Sequence, residues 1–359
     1  MKMTCIIFAF WIANSLFTPF VSIAADRQLC VGADERVELL ATVQLLADYF
    51  LVSKYPSDYK KEVVQHFQTY KNHAAVRYFR ELSANDFAYS EPFKYVLEHG
   101  NLPDLVPNQY DADFKPSSVM QADSLLLLSI YLKDFYEKTN FRVFFDEHSY
   151  LYDTLTTAIV ESLGKTDYVA LLEAYYGMPQ ADYEIIFSPL LPNGGFGPAV
   201  VLPNHRYHLY ALVGPNGVEN GLPTFDTDFL TKSLLLHEFS HSFVNPLTEK
   251  HWSELKQYDT LYSFIAADME ARAYSSWDIA INEHLVRAIV IRLVQQEQGR
   301  QAADRLLERE KKAGFYYIEP LLHALAKYEN KRKKYPTFNS FYPEIVRVWQ
   351  ELSNNLVSR

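Results

Sequence analysis

The chain has 359 residues, of which 48% are hydrophobic and 22% are charged, and its formal net charge is −10. This composition is that of a folded globular protein with enough material for one large domain or two smaller ones. The acidic balance argues against nucleic acid as a partner, because the phosphate backbone requires a basic protein surface.

The first 25 residues have the pattern of a secretory signal peptide. The apolar stretch CIIFAFWIANSLF follows a lysine, and VSIAA supplies the small residues expected before cleavage near Ala24 or Ala25. Asn14 and Pro19 make this stretch a poor membrane-spanning helix, and no later segment is apolar for long enough to span a bilayer. We therefore expect an exported bacterial protein, periplasmic or extracellular, with no transmembrane segment in the mature chain. An uncleaved anchor is the alternative.

The two cysteines fit this expectation. Cys5 would leave with the signal peptide, and Cys30 would remain alone, so the mature chain would form no internal disulfide. The residues before Cys30, Arg27 to Leu29, lack the small side chains expected before a lipoprotein cysteine.

The region from 33 to 170 is predicted to be mostly helical. Apolar residues recur there at spacings of three and four, and one helical pattern stops at a glycine. The predicted helices cover 34–51, 72–82, 90–100 and 117–138.

The pattern changes near residue 183, where short β-rich runs alternate with Pro, Gly and Asn. These runs, at 183–191, 197–203 and 206–214, predict a small antiparallel sheet. Helices are then predicted over about 227–244, 252–274, 276–298, 302–312, 315–329 and 338–352.

This order of elements predicts an α+β protein that is mostly helical. We expect a signal peptide at 1–25, a helical N-terminal region at 26–182 and a second region at 183–359. A single continuous domain over 26–359 is the alternative.

The segment LLLHEFSHSFVNP, residues 234–246, places two histidines one turn apart on an apolar helix. His237 and His241 share one helix face, so both imidazoles can bind one zinc ion. Glu238 is close enough to reach a water on that ion without being a ligand. The alternative is a pair of core histidines with a solvent-facing glutamate, but such an apolar helix offers little to satisfy them.

The ends of this helix are predicted from its flanking residues. It should begin at Phe229 and end at Asn245, because a residue before proline disfavours helical geometry. The capping residues before it are Asp226, Thr227 and Asp228.

A catalytic zinc needs a third protein ligand and one open position. The extended pattern HExxHxxGxxH is absent, since Val244 and Leu247 stand at its glycine and third histidine. Glu283, which follows an asparagine within an apolar helix, is the predicted third ligand. Glu270 and His284 are the alternatives.

These residues resemble the gluzincin branch of the zincin metallopeptidases, in which a glutamate of an Asn-Glu pair on a second helix completes the zinc site. More closely, the chain resembles the DUF4932 family of exported bacterial proteins. The resemblance extends over nearly the whole mature chain. The matching stretches are NHAAVRYFREL, FYEKTNFRVFFDEH, HEFSHSFVNP, NEHLVRA, GFYYIEPL and KYPTFNSFYPEI.

The resemblance implies a zincin-like fold, with the small sheet preceding the active-site helix, and a set of roles. His237, His241 and Glu283 would bind Zn²⁺, and Glu238 would be the general base. The chain departs from thermolysin-like enzymes at Arg287, where they carry an aspartate that orients a zinc histidine. The surroundings of the ligands must therefore be built differently.

Hydrolysis of this kind also needs a donor to the developing oxyanion. Tyr317 is the predicted residue, with Tyr316 and His284 as further candidates; a core or rim position is the alternative for each. The segment 193–200, NGGFGPAV, is either a sheet edge that aligns a peptide or an ordinary Gly-Pro turn.

The sequence thus predicts a secreted or periplasmic zinc metallopeptidase, in which Glu238 activates a zinc-bound water to attack a peptide or protein substrate. Two other functions stay open. The chain could be a zincin-fold binding or scaffold protein without catalysis. It could also be a metal-dependent hydrolase of cell-wall or glycan-linked amides.

Overall fold

The computed structural model describes residues 3–6, 29–105, 122–202, 206–225 and 233–357. The chain divides into two compact units. The first comprises 1–169 and 180–231, and the second comprises 170–179 and 232–359. Compact units are not the same as independently folding domains, so the predicted boundary at residue 183 stays a prediction.

The described part of the first unit contains a six-stranded mixed sheet and a separate hairpin. In the sheet, β2, β3 and β6 run parallel, whereas β1, β4 and β5 pair antiparallel with their neighbours. The strands are β1 (Thr4–Ile6), β2 (Leu29–Gly32), β3 (Asp182–Phe187), β4 (Gly194–Phe196), β5 (Ala199–Val201), β6 (Tyr207–Gly214), β7 (Gly217–Glu219) and β8 (Leu222–Thr224).

The prediction of an antiparallel sheet is therefore wrong, although β3, β5 and β6 lie within the predicted β-rich runs. Residue patterns indicate which segments are extended, but strand direction depends on the connections. Long crossovers allow β2 and β3, and then β3 and β6, to align in parallel. The segment 193–200 contains β4 and the start of β5, which both pair with β6 at the sheet edge. Its use by a substrate stays a prediction.

The start of the chain pairs with the sheet in this structure. Cys5 lies opposite Cys30 across β1 and β2, and a disulfide joins them. The expectation of an unpaired Cys30 applies to the processed chain, since cleavage near Ala24 or Ala25 would remove Cys5. Most of the predicted signal peptide, residues 7–28, lies outside the described residues.

Helices account for most of the rest of the first unit, and each of the four predicted helical segments there contains a helix. The segment predicted over 34–51 runs past the end of its helix at Leu46, and residues 117–121 of the fourth segment lie outside the described residues. The Asp34 carboxylate caps the first helix by accepting from the backbone N–H groups of Arg36 and Val37. The helices are α1 (Glu35–Leu46), α2 (Asp58–Phe67), α3 (Ala74–Ser83), α4 (Glu91–Leu97), α5 (Ala122–Thr139), α6 (Phe141–Glu147), α7 (Ser149–Leu163) and the beginning of α8 (Tyr168–Tyr176).

The second unit is helical throughout its described residues, apart from turns. Its longest helix, α13, is buried along much of its length and packs against α9, α14 and α15. Besides the rest of α8, its helices are α9 (Leu235–Lys250), α10 (Trp252–Leu255), α11 (Thr260–Ser263), α12 (Ala266–Glu270), α13 (Trp277–Gln298), α14 (Arg300–Lys312), α15 (Ile318–Asn330) and α16 (Phe338–Val357).

Two predicted helix boundaries in this unit are wrong. Helix α9 does not end at Asn245 but continues through Pro246 to Lys250. Buried contacts outweigh the bias that proline imposes on the residue before it. Leu247 is buried, and the buried hydroxyl of Thr248 bonds to Asn282 and Tyr342. The predicted capping residues and Phe229 lie outside the described residues.

The second wrong boundary is the single helix over 252–274. The chain instead forms the short helices α10, α11 and α12 with a 3₁₀ turn at Lys256–Tyr258. Of the helices in the described ranges, none combines the length and apolarity needed to cross a membrane.

A buried carboxyl group lies in the core of the first unit. Glu38 of α1 has no exposed surface, and its Oε2 accepts a hydrogen bond of 2.7 Å from the Tyr59 hydroxyl. The Tyr59 and Tyr152 hydroxyls are 2.6 Å apart. Burial raises the pKa of Glu38 to about 7, although hydrogen bonds from Ser188 and Tyr59 act to lower it.

Replacing Glu38 with Gln tests this environment. Because the pKa is raised from 4.5 to about 7 on folding, the protonated group is compatible with the core and the charged group is not. Glu38 should therefore lower wild-type stability by up to about 3 kcal/mol as the pH rises from 4.5 to 7. In urea unfolding across that range, the Glu38→Gln protein should lose correspondingly less stability than the wild type, while the buried Glu238 contributes a fall of its own in both proteins.

The matched control is Glu81→Gln, which removes an exposed carboxylate from α3 of the same unit. It should keep the wild-type pH profile. Parallel profiles for the wild type and the Glu38→Gln protein would contradict the assignment of this pH dependence to Glu38.

Candidate metal centre

Helix α9 brings the two predicted histidine ligands together. Its apolar side chains, including Leu235, Phe239 and Phe243, are buried and fix the helix in the unit. One turn apart on it, His237 and His241 place their Nε2 atoms 3.0 Å from each other. Their side chains are 17% and 12% exposed, so the pair lies near the surface without being open to it.

Helix α13 supplies the carboxylate that completes the group. Glu283 Oε2 lies 3.6 Å from His237 Nε2, and Oε1 lies 3.4 Å from His241 Nε2. Donor atoms bound to tetrahedral zinc at about 2.0–2.1 Å are roughly 3.3 Å from one another. The three side chains therefore lie at the spacing that one metal ion requires. In the described part of the chain, no other cluster of three His, Cys, Asp or Glu side chains has its ligand atoms within 4.8 Å of one another.

The hydrogen bond of His241 and the pKa of His237 both favour metal binding. The Oδ1 atom of Asn245 lies 3.2 Å from His241 Nδ1 and can accept a hydrogen bond from an Nδ1–H group, a tautomer that leaves the lone pair on Nε2. Burial, together with the charges of Arg287 and His241, lowers the pKa of His237 well below 6.5. A neutral imidazole is the form that binds a metal.

The carboxylate is ionised despite its burial. Burial acts to raise the pKa of Glu283, but Arg287 and the two histidines outweigh it and lower the pKa to about 2. The site therefore offers two imidazole nitrogens and one anionic oxygen, a donor set typical of zinc.

Glu238 lies next to this group on α9 and is 6% exposed. Burial and then the negative charge of Glu283 raise its pKa to about 8, while Arg287 acts in the opposite direction. A carboxyl group that binds its proton this tightly can both take and return a proton near neutral pH.

Arg287 and Tyr274 complete the surroundings of Glu283, and neither was assigned a role from the sequence. The guanidinium of Arg287 bonds to Glu283 and lies 3.3 Å from the Tyr274 hydroxyl. Burial and then the charge of Glu283 raise the pKa of Tyr274 well above its usual value. The spacing of Glu283 and Arg287, four residues apart on one helix, was the available sequence signal for their contact.

The three predicted oxyanion donors are engaged elsewhere. Tyr317 donates to the Leu261 carbonyl oxygen at 2.8 Å, and His284 is fully buried with Nδ1 at 2.7 Å from the Ala280 carbonyl oxygen. Tyr316 is 56% exposed, and its hydroxyl bonds to Asp268. The catalytic role of Tyr317 stays a prediction. Neither alternative ligand, the exposed Glu270 or the buried His284, is part of the three-residue group.

Comparison with known proteins gives the family of the chain. No curated protein and no solved structure matches it. Residues 29–348 match the family described as Domain of unknown function (DUF4932). Because the match covers most of its length, the chain belongs to the DUF4932 family.

Proposed function

We propose that this protein is a zinc-dependent hydrolase, and specifically a secreted or periplasmic metallopeptidase of zincin-like fold. The observation that carries the proposal is the spacing of the His237, His241 and Glu283 donor atoms, which lie 3.0–3.6 Å apart beside a buried glutamate. The side chains that would hold the metal leave further coordination positions for a water and a substrate.

The chain's own residues would divide the work of hydrolysis. A bound zinc ion would acidify a water and polarise the scissile carbonyl. Glu238 would take the proton from that water and return it to the leaving amine. Asn245 would hold the ring of His241 through Nδ1, and the apolar face of α9 would limit access of bulk water.

The choice of a peptide substrate rests on the HExxH pattern and on the gluzincin resemblance of the two helices. Export, supported by the signal-peptide pattern at 1–25, would place such an enzyme among proteins outside the cytoplasm. The acidic net charge of −10 is consistent with the absence of a nucleic-acid role.

The metal content of the purified protein tests the ligand assignment. We expect one zinc ion per chain by elemental analysis, with loss of most of the metal in the His237→Ala, His241→Ala and Glu283→Ala proteins. Zinc should also raise the melting temperature of the wild type, because a ligand that binds the folded state stabilises it.

The control is His323→Ala, which removes an exposed histidine of α15. It should keep the full metal content and the zinc-dependent rise in melting temperature. Retention of zinc by the Glu283→Ala protein at the wild-type ratio would show that the third ligand is a different residue.

Replacing Glu238 with Gln separates an enzyme from a binding protein. The amide has nearly the same shape but cannot act as a base near neutral pH. Turnover should therefore fall by at least about 10²-fold, while zinc content is unchanged. Turnover should be followed on a mixed set of peptides and cell-wall amides, which also identifies the substrate class.

Glu249→Gln is the matched control, because it changes an exposed glutamate of the same helix. It should hydrolyse the same substrates at the wild-type rate. If the wild type cleaves only cell-wall amides and the Glu238→Gln protein loses that cleavage, the enzyme is a cell-wall amide hydrolase and not a peptidase. Zinc-loaded wild type without activity on either class would favour a scaffold.

A further inference from the structure

The guanidinium of Arg287 connects two buried carboxylates. Its Nη1 donates to Glu283 Oε2, and its Nε donates to Glu310 Oε2 at 3.0 Å. Glu310 in turn accepts from Arg309 Nε and Nη2 through Oε1, at 3.0 and 2.8 Å. Two helices, α13 and α14, thus meet in a chain of alternating charges that ends on the predicted metal ligand.

Aromatic side chains hold the same guanidinium from other directions. Its central carbon lies 4.0 Å from the centre of the Phe315 ring, within the range of a cation–π contact. Its Nη2 lies 3.3 Å from the Tyr274 hydroxyl. With only 16% of its side chain exposed, Arg287 has little freedom to adopt another position.

The two oxygens of Glu283 therefore differ in their surroundings. Oε2 accepts a hydrogen bond from Arg287 and lies 3.6 Å from His237 Nε2, whereas Oε1 accepts none from Arg287 and lies 3.4 Å from His241 Nε2. We propose that Arg287 is a positioning residue of the metal site, which holds Oε2 of Glu283 and so presents Oε1 to the cation. This inference rests on the proposed function only in requiring that the triad binds a metal.

The physical reason is the freedom of an unsupported carboxylate. A glutamate side chain has several rotatable bonds, and ordering it for metal binding costs conformational entropy. The bond from Arg287 to Oε2 restricts this freedom, because the guanidinium is itself held by Glu310 and Tyr274. Binding through one oxygen also limits the coordination positions that Glu283 occupies, which leaves space for water and substrate.

A purely structural ion pair on the same helix provides the comparison. Arg292 of α13 bonds to Glu329 of α15, with Nε at 2.9 Å from Oε1, and its side chain is 21% exposed. It matches Arg287 in residue type, in helix and in having a carboxylate partner, but that partner is not a predicted ligand. The Arg292→Met protein therefore reports the general effect of losing an Arg–Glu pair from α13.

The test compares zinc affinity and the cobalt(II) absorption spectrum of the full-length wild type with those of Arg287→Met, Arg287→Lys and Arg292→Met. Affinity is measured by competition with a chromophoric chelator. We expect Arg287→Met to bind zinc about 10–100-fold more weakly. Its cobalt spectrum should change, because both oxygens of Glu283 become available to the metal.

The other two variants have distinct expected results. Lysine retains the charge but cannot bond to Glu283 and Glu310 with the same planar geometry, so Arg287→Lys should lie between the wild type and Arg287→Met in affinity. Arg292→Met should keep the wild-type affinity and spectrum. If Arg287→Met does not fold, Glu310→Gln serves instead, since it keeps Arg287 but removes one of its anchors, and a smaller loss of affinity is expected.

The outcomes separate this inference from the proposed function. Wild-type affinity and an unchanged cobalt spectrum in the Arg287 variants would overturn the positioning role while leaving the metal site intact. An equal loss in Arg287→Met and Arg292→Met would also overturn it, because the effect would then be general. A wild type that binds neither metal would overturn both proposals. If metal binding depends on Arg287 but the protein hydrolyses no substrate, this inference would be supported and only the proposed hydrolase activity would be contradicted.

Discussion

The carboxylate of Glu283 is an anion in a nearly buried position, and the arrangement around it follows from the need to compensate its charge. An ion removed from water without a partner costs several kcal/mol, which would shift its pKa or destabilise the fold. Arg287 supplies the positive charge, and the two imidazoles of α9 approach from the other side. Arg287 also bonds to the buried Glu310, whose own negative charge is balanced by Arg309.

Packing of α9 against α13 fixes the position of Glu283 relative to His237 and His241. The Thr248 hydroxyl bonds to Asn282, the residue directly before Glu283, and also to Tyr342 of α16. A bond one residue away from the ligand fixes the height and rotation of α13 relative to the histidines. The continuation of α9 through Pro246 is necessary for this contact, because Thr248 lies beyond the proline. The proline inside α9 is therefore compatible with the site, because the helix must continue past it to place Thr248 beside Asn282.

Sequence reasoning could anticipate the parts of the site that depend on one helix at a time. The four-residue spacing of His237 and His241 follows from helical periodicity alone, and Glu283 was found because it interrupts an apolar helix. Its contact with the histidines required a tertiary arrangement that the sequence pattern does not contain. The roles of Glu310 and Tyr274 were missed for the same reason, since each lies on a different segment. Likewise, the β-rich runs were visible, but the parallel direction of β2 and β3 was not.

Because Arg287 stands where thermolysin-like enzymes have an aspartate, the predicted ligand that it contacts is the glutamate and not a histidine. In the thermolysin-like enzymes with which the two helices were compared, an aspartate at this position orients a zinc histidine. Here the corresponding side chain is a cation, and it bonds to the carboxylate ligand. His241 receives a neutral amide oxygen from Asn245 in place of a carboxylate. Both substitutions reduce the negative charge around the cation position. If the proposed zinc ion is bound here, it would receive less electron density from its ligands and would be a stronger Lewis acid, at the expense of metal affinity. The fixed geometry of Glu283 would then more than offset the affinity that the positive charge of Arg287 removes.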